Sequence, residues 1–131
     1  MGTSRRHDER AGLSGMTDYQ QCDFNNTPLA NGTFDGAYAI EATCHAADRV
    51  RCFSEIFRVL KPGAAFVGYE WVITDKYDDS NEGHRHIRHL IELGNALATL
   101  TSAAVVVDAL TAAGFVVEMH YDVIQRATSS P

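Results

Sequence analysis

Residues 31–73, NGTFDGAYAIEATCHAADRVRCFSEIFRVLKPGAAFVGYEWVI, decide the fold. The turn pair Asn31-Gly32 precedes an aromatic and apolar stretch, Phe34–Ile40, which reads as a buried strand. Val50, Phe53, Ile56, Phe57 and Leu60 then recur at helical spacing and form one apolar face. Lys61-Pro62-Gly63 stops that helix, because proline cannot extend it and glycine tolerates the turn backbone. Ala65–Val72 is a second near-continuous apolar run, expected as a strand covered on both faces. Strand, helix and strand with short connections make a βαβ unit, whose strands lie parallel with a right-handed crossover.

Further along, Asn81–Leu93 reads as a polar helix with Ile87, Leu90 and Ile91 on one side. Thr101–Ala113 reads as another, with Ala103, Val106, Val107, Leu110 and Ala113 inward and Gly114 at its stop. Phe115–Val123 is expected as a last strand. The expected class is α/β, an open sheet with helices on both faces. Met1–Met16 is rich in Arg, Ser and Gly and nearly free of apolar residues, so a disordered leader is expected there. It lacks the hydrophobic stretch of a signal peptide, and Arg6 breaks the myristoylation pattern. Residues 17–127 form the domain and 128–131 a small polar tail.

Composition narrows the function. The chain has 131 residues, 45% of them hydrophobic and 21% charged, which is globular and not disordered. Eleven basic residues against 17 acidic ones give a net charge of -6, which argues against nucleic acid as a partner. No apolar run approaches the length of a bilayer-spanning helix. Cys22, Cys44 and Cys52 are odd in number and lack CxxC spacing, so neither a disulfide framework nor a zinc ribbon is expected, and a reducing compartment is the default.

In open α/β sheets, ligands sit outside the carboxyl ends of the strands. That rule selects Glu41-Ala42-Thr43-Cys44-His45 after the first strand, and Glu70-Trp71 with Asp75 and Tyr77 after the second. If the strands are neighbours, these clusters line one pocket of carboxylates, aromatic rings and an imidazole. The competing reading of Tyr69 and Trp71 is that they fill the sheet core, as aromatic rings usually do. Glu41 and Glu70 are harder to assign to a core, because buried charges need a partner or a purpose. Cys44-His45 is a poor nucleophile pair, since adjacent residues seldom face each other. His84, His86 and His89 with Glu82 lack the i, i+4 histidine pair of zinc proteases, so a solvated helix face is expected there and no metal.

Four stretches resemble the sterol 24-C-methyltransferases: Tyr38–Ala46; Glu55-Ile56 through Gly63; Tyr69–Asp78; and His84-Arg85 with Ile87 followed by Ile91–Gly94. They run in the family's order from about Asp23 to about Val123. The resemblance implies a class I S-adenosylmethionine-dependent methyltransferase fold and methyl transfer to a sterol side-chain alkene. It implies that Asp23-Phe24 ends the third strand and reads the adenine amine, with Ala39 and Ile40 beside the cofactor. It further implies catalytic roles for Glu41, His45 and Glu70, and substrate contact by Cys44, Tyr69, Trp71, Asp75 and Tyr77. The expected location is the cytoplasm, with peripheral attachment at the endoplasmic reticulum membrane as the alternative.

The departures carry weight. The chain has no glycine-rich GxGxG loop for the cofactor, and it begins near the family's third strand, as if the first half were cut away. Gly94-Asn95-Ala96-Leu97 replaces a Gly-Asp-Gly segment, and Ala64 follows Gly63 where a second glycine is usual. The expected architecture is therefore a partial Rossmann-like sheet lacking its first strands. Phe34–Ile40 would then carry an open edge that invites self-association or pairing with a relative. A chain of this kind is expected to be weakly active or inactive alone, or to be a non-catalytic remnant or interaction module.

Overall fold

The computed structural model describes residues 2–124. In order it contains α1 (Gly2–Ala11), β1 (Phe34–Ile40), a short 3-10 turn (Thr43–His45), α2 (Arg49–Val59), β2 (Leu60–Tyr69), α3 (Glu82–Gly94) and α4 (Ala103–Ala112). The expected parallel βαβ unit is present. β1 and β2 form a two-stranded parallel sheet in which Tyr38 pairs with Val67 and Ile40 with Tyr69.

The helix stop at Lys61-Pro62-Gly63 takes a specific form. Phe34 pairs with Leu60, but Gly36 pairs with Ala65, so the extra β2 residues loop out as a bulge. Gly63 there has φ +80°, which a side chain would oppose. Lys61 reaches back to Asp35 at 2.6 Å. Upstream, Gly32 (φ +61°) makes the expected turn, and the amides of Gly32 and Thr33 donate to the carbonyls of Arg58 and Val59.

The core sits on one side of the sheet. Phe53 of α2 and Val106 and Ala109 of α4 are buried, with Ile56, Phe66, Val72, Leu110, Ala113 and Phe115 packed against them. Four rings run through it, with centroids 6.1 Å apart for Phe53–Phe66, 5.7 Å for Phe66–Phe115 and 5.1 Å for Phe115–Phe57. The helix caps match the sequence pattern, since the side chains of Asp48, Asn81 and Ser102 each accept an amide at the start of α2, α3 and α4.

Several expectations are corrected. The opposite face of the sheet has no helix on it among the described residues. Tyr38, Ile40, Val67 and Tyr69 share that face through their register and are 79%, 66%, 66% and 44% exposed. β1 is thus not a buried strand, and β2 is not covered on both faces. Residues 115–123 form no strand, because neither edge of the small sheet pairs with them. The 1–16 stretch is not wholly unstructured. α1 closes on Gly12 (φ +71°), with Leu13 donating to Asp8 and Gly12 to Glu9, a Schellman motif that needs no core. The 128–131 tail lies outside the described residues.

A second clasp ties the segment before β1 to α2. Glu55 accepts the amide and hydroxyl of Thr27, while Arg58 donates to Glu55, to the Leu29 carbonyl and to Asn31. The Arg58 guanidinium holds the Glu55 carboxyl down at about 2.

Gly114 (φ +108°) ends α4 with ring atoms of Phe57 3.1–3.3 Å from where a Cβ would stand. Gly114→Ala is therefore expected to destabilise the chain by roughly 1–2 kcal/mol, through backbone strain and displacement of Phe57. A denaturant midpoint unchanged from wild type would refute this.

Candidate active site at the strand tips

The β1–β2 ladder continues one residue past Ile40, where the Glu41 amide donates to the Tyr69 carbonyl at 2.8 Å. Glu41 and Glu70 therefore leave neighbouring strand ends side by side. Glu41 takes φ +49°, uncommon for a residue with a Cβ, and turns the chain into the 3-10 turn. The two carboxylates then meet different surroundings. Glu41 is exposed, whereas both carboxylate oxygens of Glu70 are buried and make no hydrogen bond of ordinary geometry. Burial pushes the Glu70 carboxyl up to about 7, against the opposing charges of Arg49 and His45.

The 3-10 turn supplies the floor. Thr43 and Cys44 are buried, and the Thr43 hydroxyl is another buried atom without a partner. Cys44 and Cys52 are fully buried; burial raises both thiols, with Glu70 adding to the effect, and takes Cys52 to about 11. A neutral, enclosed Cys44 is no nucleophile. His45 is exposed and turned toward the Ala96 carbonyl at 2.9 Å. A carbonyl only accepts, so Nδ1 carries the hydrogen of that bond.

Tyr69 and Trp71 are 44% and 39% exposed, so they do not fill a core. Asp75 and Tyr77 lie elsewhere. Together with Val72, Ser102, His120 and Tyr121 they line an open hollow of about 540 Å³ that none of Glu41, Cys44, His45 or Glu70 touches. The single pocket expected from sequence is therefore two places. One ring of Tyr77 is already engaged, with the Arg88 guanidinium 5.6 Å from its centroid and its hydroxyl donating to Asp79. The histidine-rich face of α3 is likewise committed at its start, where His84 Nδ1 accepts the Asp78 amide. No group of three or more His, Cys, Asp or Glu among the described residues is arranged to hold a metal ion.

Asp23 and Phe24 do not end a strand. Asp23 forms an isolated bridge with Asn26 and accepts the amide and side chain of Asn25, making a tight turn. Phe24 is 41% exposed and Ile40 is 66% exposed. Sequence reasoning missed Arg49, whose Nη2 donates to the Thr99 carbonyl and whose Nε is buried without a partner. Its signal was faint, a cation at the first turn of a helix, where the dipole disfavours positive charge.

The pattern that defines the methyltransferase-domain family matches residues 2–68, just over half of the chain. The chain belongs to the methyltransferase-domain family. It is 48% identical over 115 residues to cycloartenol-C-24-methyltransferase 1 of Oryza sativa subsp. japonica, covering 88% of this chain and 33% of that protein. It is 49% identical over 128 residues to methyltransferase phqN of Penicillium fellutanum, covering 98% of this chain and 39% of that protein. Sterol 24-C-methyltransferase of Saccharomyces cerevisiae is 43% identical over 119 residues, 91% of this chain and 31% of that protein. The chain thus spans about a third of the length of the curated relatives it matches.

Among solved structures, geranyl diphosphate C-methyltransferase from Streptomyces coelicolor A3(2), bound to S-adenosyl-L-homocysteine, matches with TM-score 0.80 at 20% identity, over 98% of this chain and 49% of that one. The [4+2]-cyclase SpnF matches with TM-score 0.71 at 25% identity, over 86% of this chain and 37% of that one. The fold is accordingly part of the class I S-adenosylmethionine-dependent methyltransferase fold.

The Glu70 environment has a thermodynamic signature. A carboxyl whose folded pKa lies above its ordinary value of 4.5 favours the folded chain only while protonated. As pH rises from 4.5 through about 7, the unfolded chain releases that proton first, and stability falls by at most about 3 kcal/mol. Urea denaturation across this range is expected to show the fall in wild type and its absence in Glu70→Gln. Parallel profiles for the two proteins would contradict the assignment.

Proposed function

We propose that this chain is the substrate-side part of an S-adenosylmethionine-dependent C-methyltransferase of the sterol 24-C type, acting on a sterol side-chain alkene. The observation that carries this reading is the buried, unpartnered Glu70 carboxylate at the tip of β2, beside Glu41. Sequence identity of 43–48% to enzymes named for C-24 methylation of sterols or cycloartenol supports the substrate class.

The chemistry asks for such a group. S-adenosylmethionine supplies an electrophilic methyl group when bound. The alkene π pair would form the new carbon–carbon bond as the sulfur–methyl bond breaks with its electron pair left on sulfur, and the resulting substrate cation would lose a proton from a neighbouring carbon. Glu70, ionised above about pH 7, opposes that charge in a poorly solvated place and accepts the proton. The exposed ring of Trp71 adds roughly 0.5–2 kcal/mol to stabilisation of a nearby cation, whereas Tyr69 lies on the outer sheet face, away from Glu70. Exposed His45 offers a path for that proton to solvent, and Glu41 adds a second carboxylate at the neighbouring tip.

The donor's fit is partial. The second oxygen of Asp23 is an acceptor suited to an amino group, and exposed Phe24 and Ile40, with half-buried Ala39, offer apolar surface for a planar base. The chain has no glycine-rich loop to hold the rest of the donor. Weak activity, or none, in the isolated chain follows from that. Calorimetry with S-adenosylhomocysteine is expected to give measurable binding weaker than micromolar, which Asp23→Ala weakens further. No heat at millimolar ligand would refute the catalytic reading.

A second reading, an interaction module without catalysis, is favoured by the bare sheet face. Tyr38, Ile40, Val67 and Tyr69 are exposed together, and β1 pairs on one side only. Either reading predicts self-association through β1. Size exclusion across a concentration series is expected to show dimers or larger species, which Tyr38→Lys disperses; a monomer at every concentration would refute it.

A further inference from the structure

The connection between α3 and α4, residues 95–101, is neither helix nor strand, yet it is fastened along its length. At its start the amides of Ala96 and Leu97 donate to the carbonyls of Leu93 and Glu92, a Schellman closure of α3. At its end the Ile73 amide donates to the Thr101 carbonyl at 3.0 Å, and Ile73 forms a parallel bridge with Ser102. Between these points, one side chain from the turn after β1 and one from the start of α2 take hold of it. His45 Nδ1 donates to the Ala96 carbonyl at 2.9 Å, and Arg49 Nη2 to the Thr99 carbonyl at 3.2 Å.

These bonds fix the path of the segment. His45 follows the tip of β1, and Ile73 follows the tip of β2 just beyond Glu70, so residues 96–101 run across the two strand ends. Leu100 is buried there, as are Thr43, Cys44 and Ala46 in the turn that carries His45. Ala96 has φ +51° and occupies the closing position that glycine usually takes, so it carries backbone strain. Its own carbonyl is the one that His45 holds. Both bonds from His45 and Arg49 lie at the exposed surface, where a single hydrogen bond contributes little. The Glu70 carboxylate oxygens and the Thr43 and Thr101 hydroxyls are buried without partners, and an opening that admits water satisfies them.

We infer that residues 96–101 form a strap across the strand tips, that His45 and Arg49 are its clasps and so positioning residues, and that molecules from solution reach Cys44 and Glu70 when it lifts. The strained Ala96 is one end of the strap, and the Ile73–Thr101 bond is the other. That Glu70 is the reactive group behind the strap rests on the proposed function. The strap itself does not.

The test needs neither methyl donor nor sterol. Cys44 precedes the first clasp and is fully buried, so its alkylation reports lifting of the strap. Cys52, fully buried on α2, reports wider unfolding, and the exposed Cys22 is replaced by serine. Iodoacetamide labelling of the folded full chain is followed by peptide mass spectrometry, with each rate divided by that of the same variant in urea. In the otherwise wild-type chain, Cys44 is expected to react faster than Cys52. His45→Ala and Arg49→Met are each expected to raise the Cys44 rate roughly three- to tenfold and to leave Cys52 unchanged. His45→Asn, whose side-chain amide stands in for Nδ1 as donor, is expected to restore most of the slow rate. Equal acceleration of both cysteines would overturn the inference, since it marks general destabilisation. An unchanged Cys44 rate in a folded clasp variant would overturn it too, and if one variant does not fold the other decides. Should calorimetry show no donor binding while Cys44 alone accelerates, the catalytic reading falls and the strap stands.

Discussion

The pairing of Ile40 with Tyr69 is the constraint on which the rest depends. Parallel pairing ends both strands at the same height, so whatever follows them emerges at one edge of the sheet. The Glu41 amide extends the ladder by one bond before the chain turns. A register slip would send Glu70 to the other face and put Tyr38 and Val67 where Phe66 now meets Phe53. The bulge at Lys61–Ala64 fixes that register at the opposite end, by absorbing the residues that end α2 before pairing resumes at Gly36–Ala65.

That geometry gives two adjacent glutamates different chemistry. Glu41 escapes into solvent through its left-handed backbone. Glu70 continues the strand direction and is enclosed by the 3-10 turn and the start of α2. Enclosing a carboxylate without a partner costs stability, and a fold under selection for stability alone would replace it with an apolar side chain. The cost is concentrated where the rule for open α/β sheets places ligands, and where orphaned polar atoms of Thr43 and Arg49 also gather. Asn25 Oδ1 and Thr101 Oγ1 are likewise buried without a partner, while α2 and α3 carry caps, the Arg58–Glu55 clasp and the Arg88–Glu92 pair.

Much of this was legible in the sequence, and the failures share a cause. Periodicity located α2, α3 and α4 and the two strands because each follows its own local hydrophobic spacing. The pair Glu41 and Glu70 was legible because charges that end apolar runs stand out. The expected cover on the outer sheet face and the expected strand at 115–123 both depend on non-local pairing, which local pattern does not encode. The separation of Asp75 and Tyr77 from Glu70 arises in the same way. Residues 74–81 turn toward α3, where Arg88 and His84 claim Tyr77 and Asp78. The anchoring of Arg49 escaped notice because its partner, the Thr99 carbonyl, lies 50 positions away.

The fold leaves the reaction open. A cyclase and a geranyl diphosphate methyltransferase superimpose on the same scaffold, so strand order and helix placement cannot distinguish cyclisation from methyl transfer. What distinguishes them must be side chains at the strand tips. Here those are a carboxyl that burial pushes up to about 7, an exposed indole ring and an exposed imidazole. This set suits a reaction that develops positive charge and then sheds a proton. Among the described residues near the strand tips, the arginine nearest in sequence, Arg49, already donates to the Thr99 carbonyl. On the proposed reading, the chemical direction of the site would come from Glu70 and its surroundings rather than from the sheet that carries it.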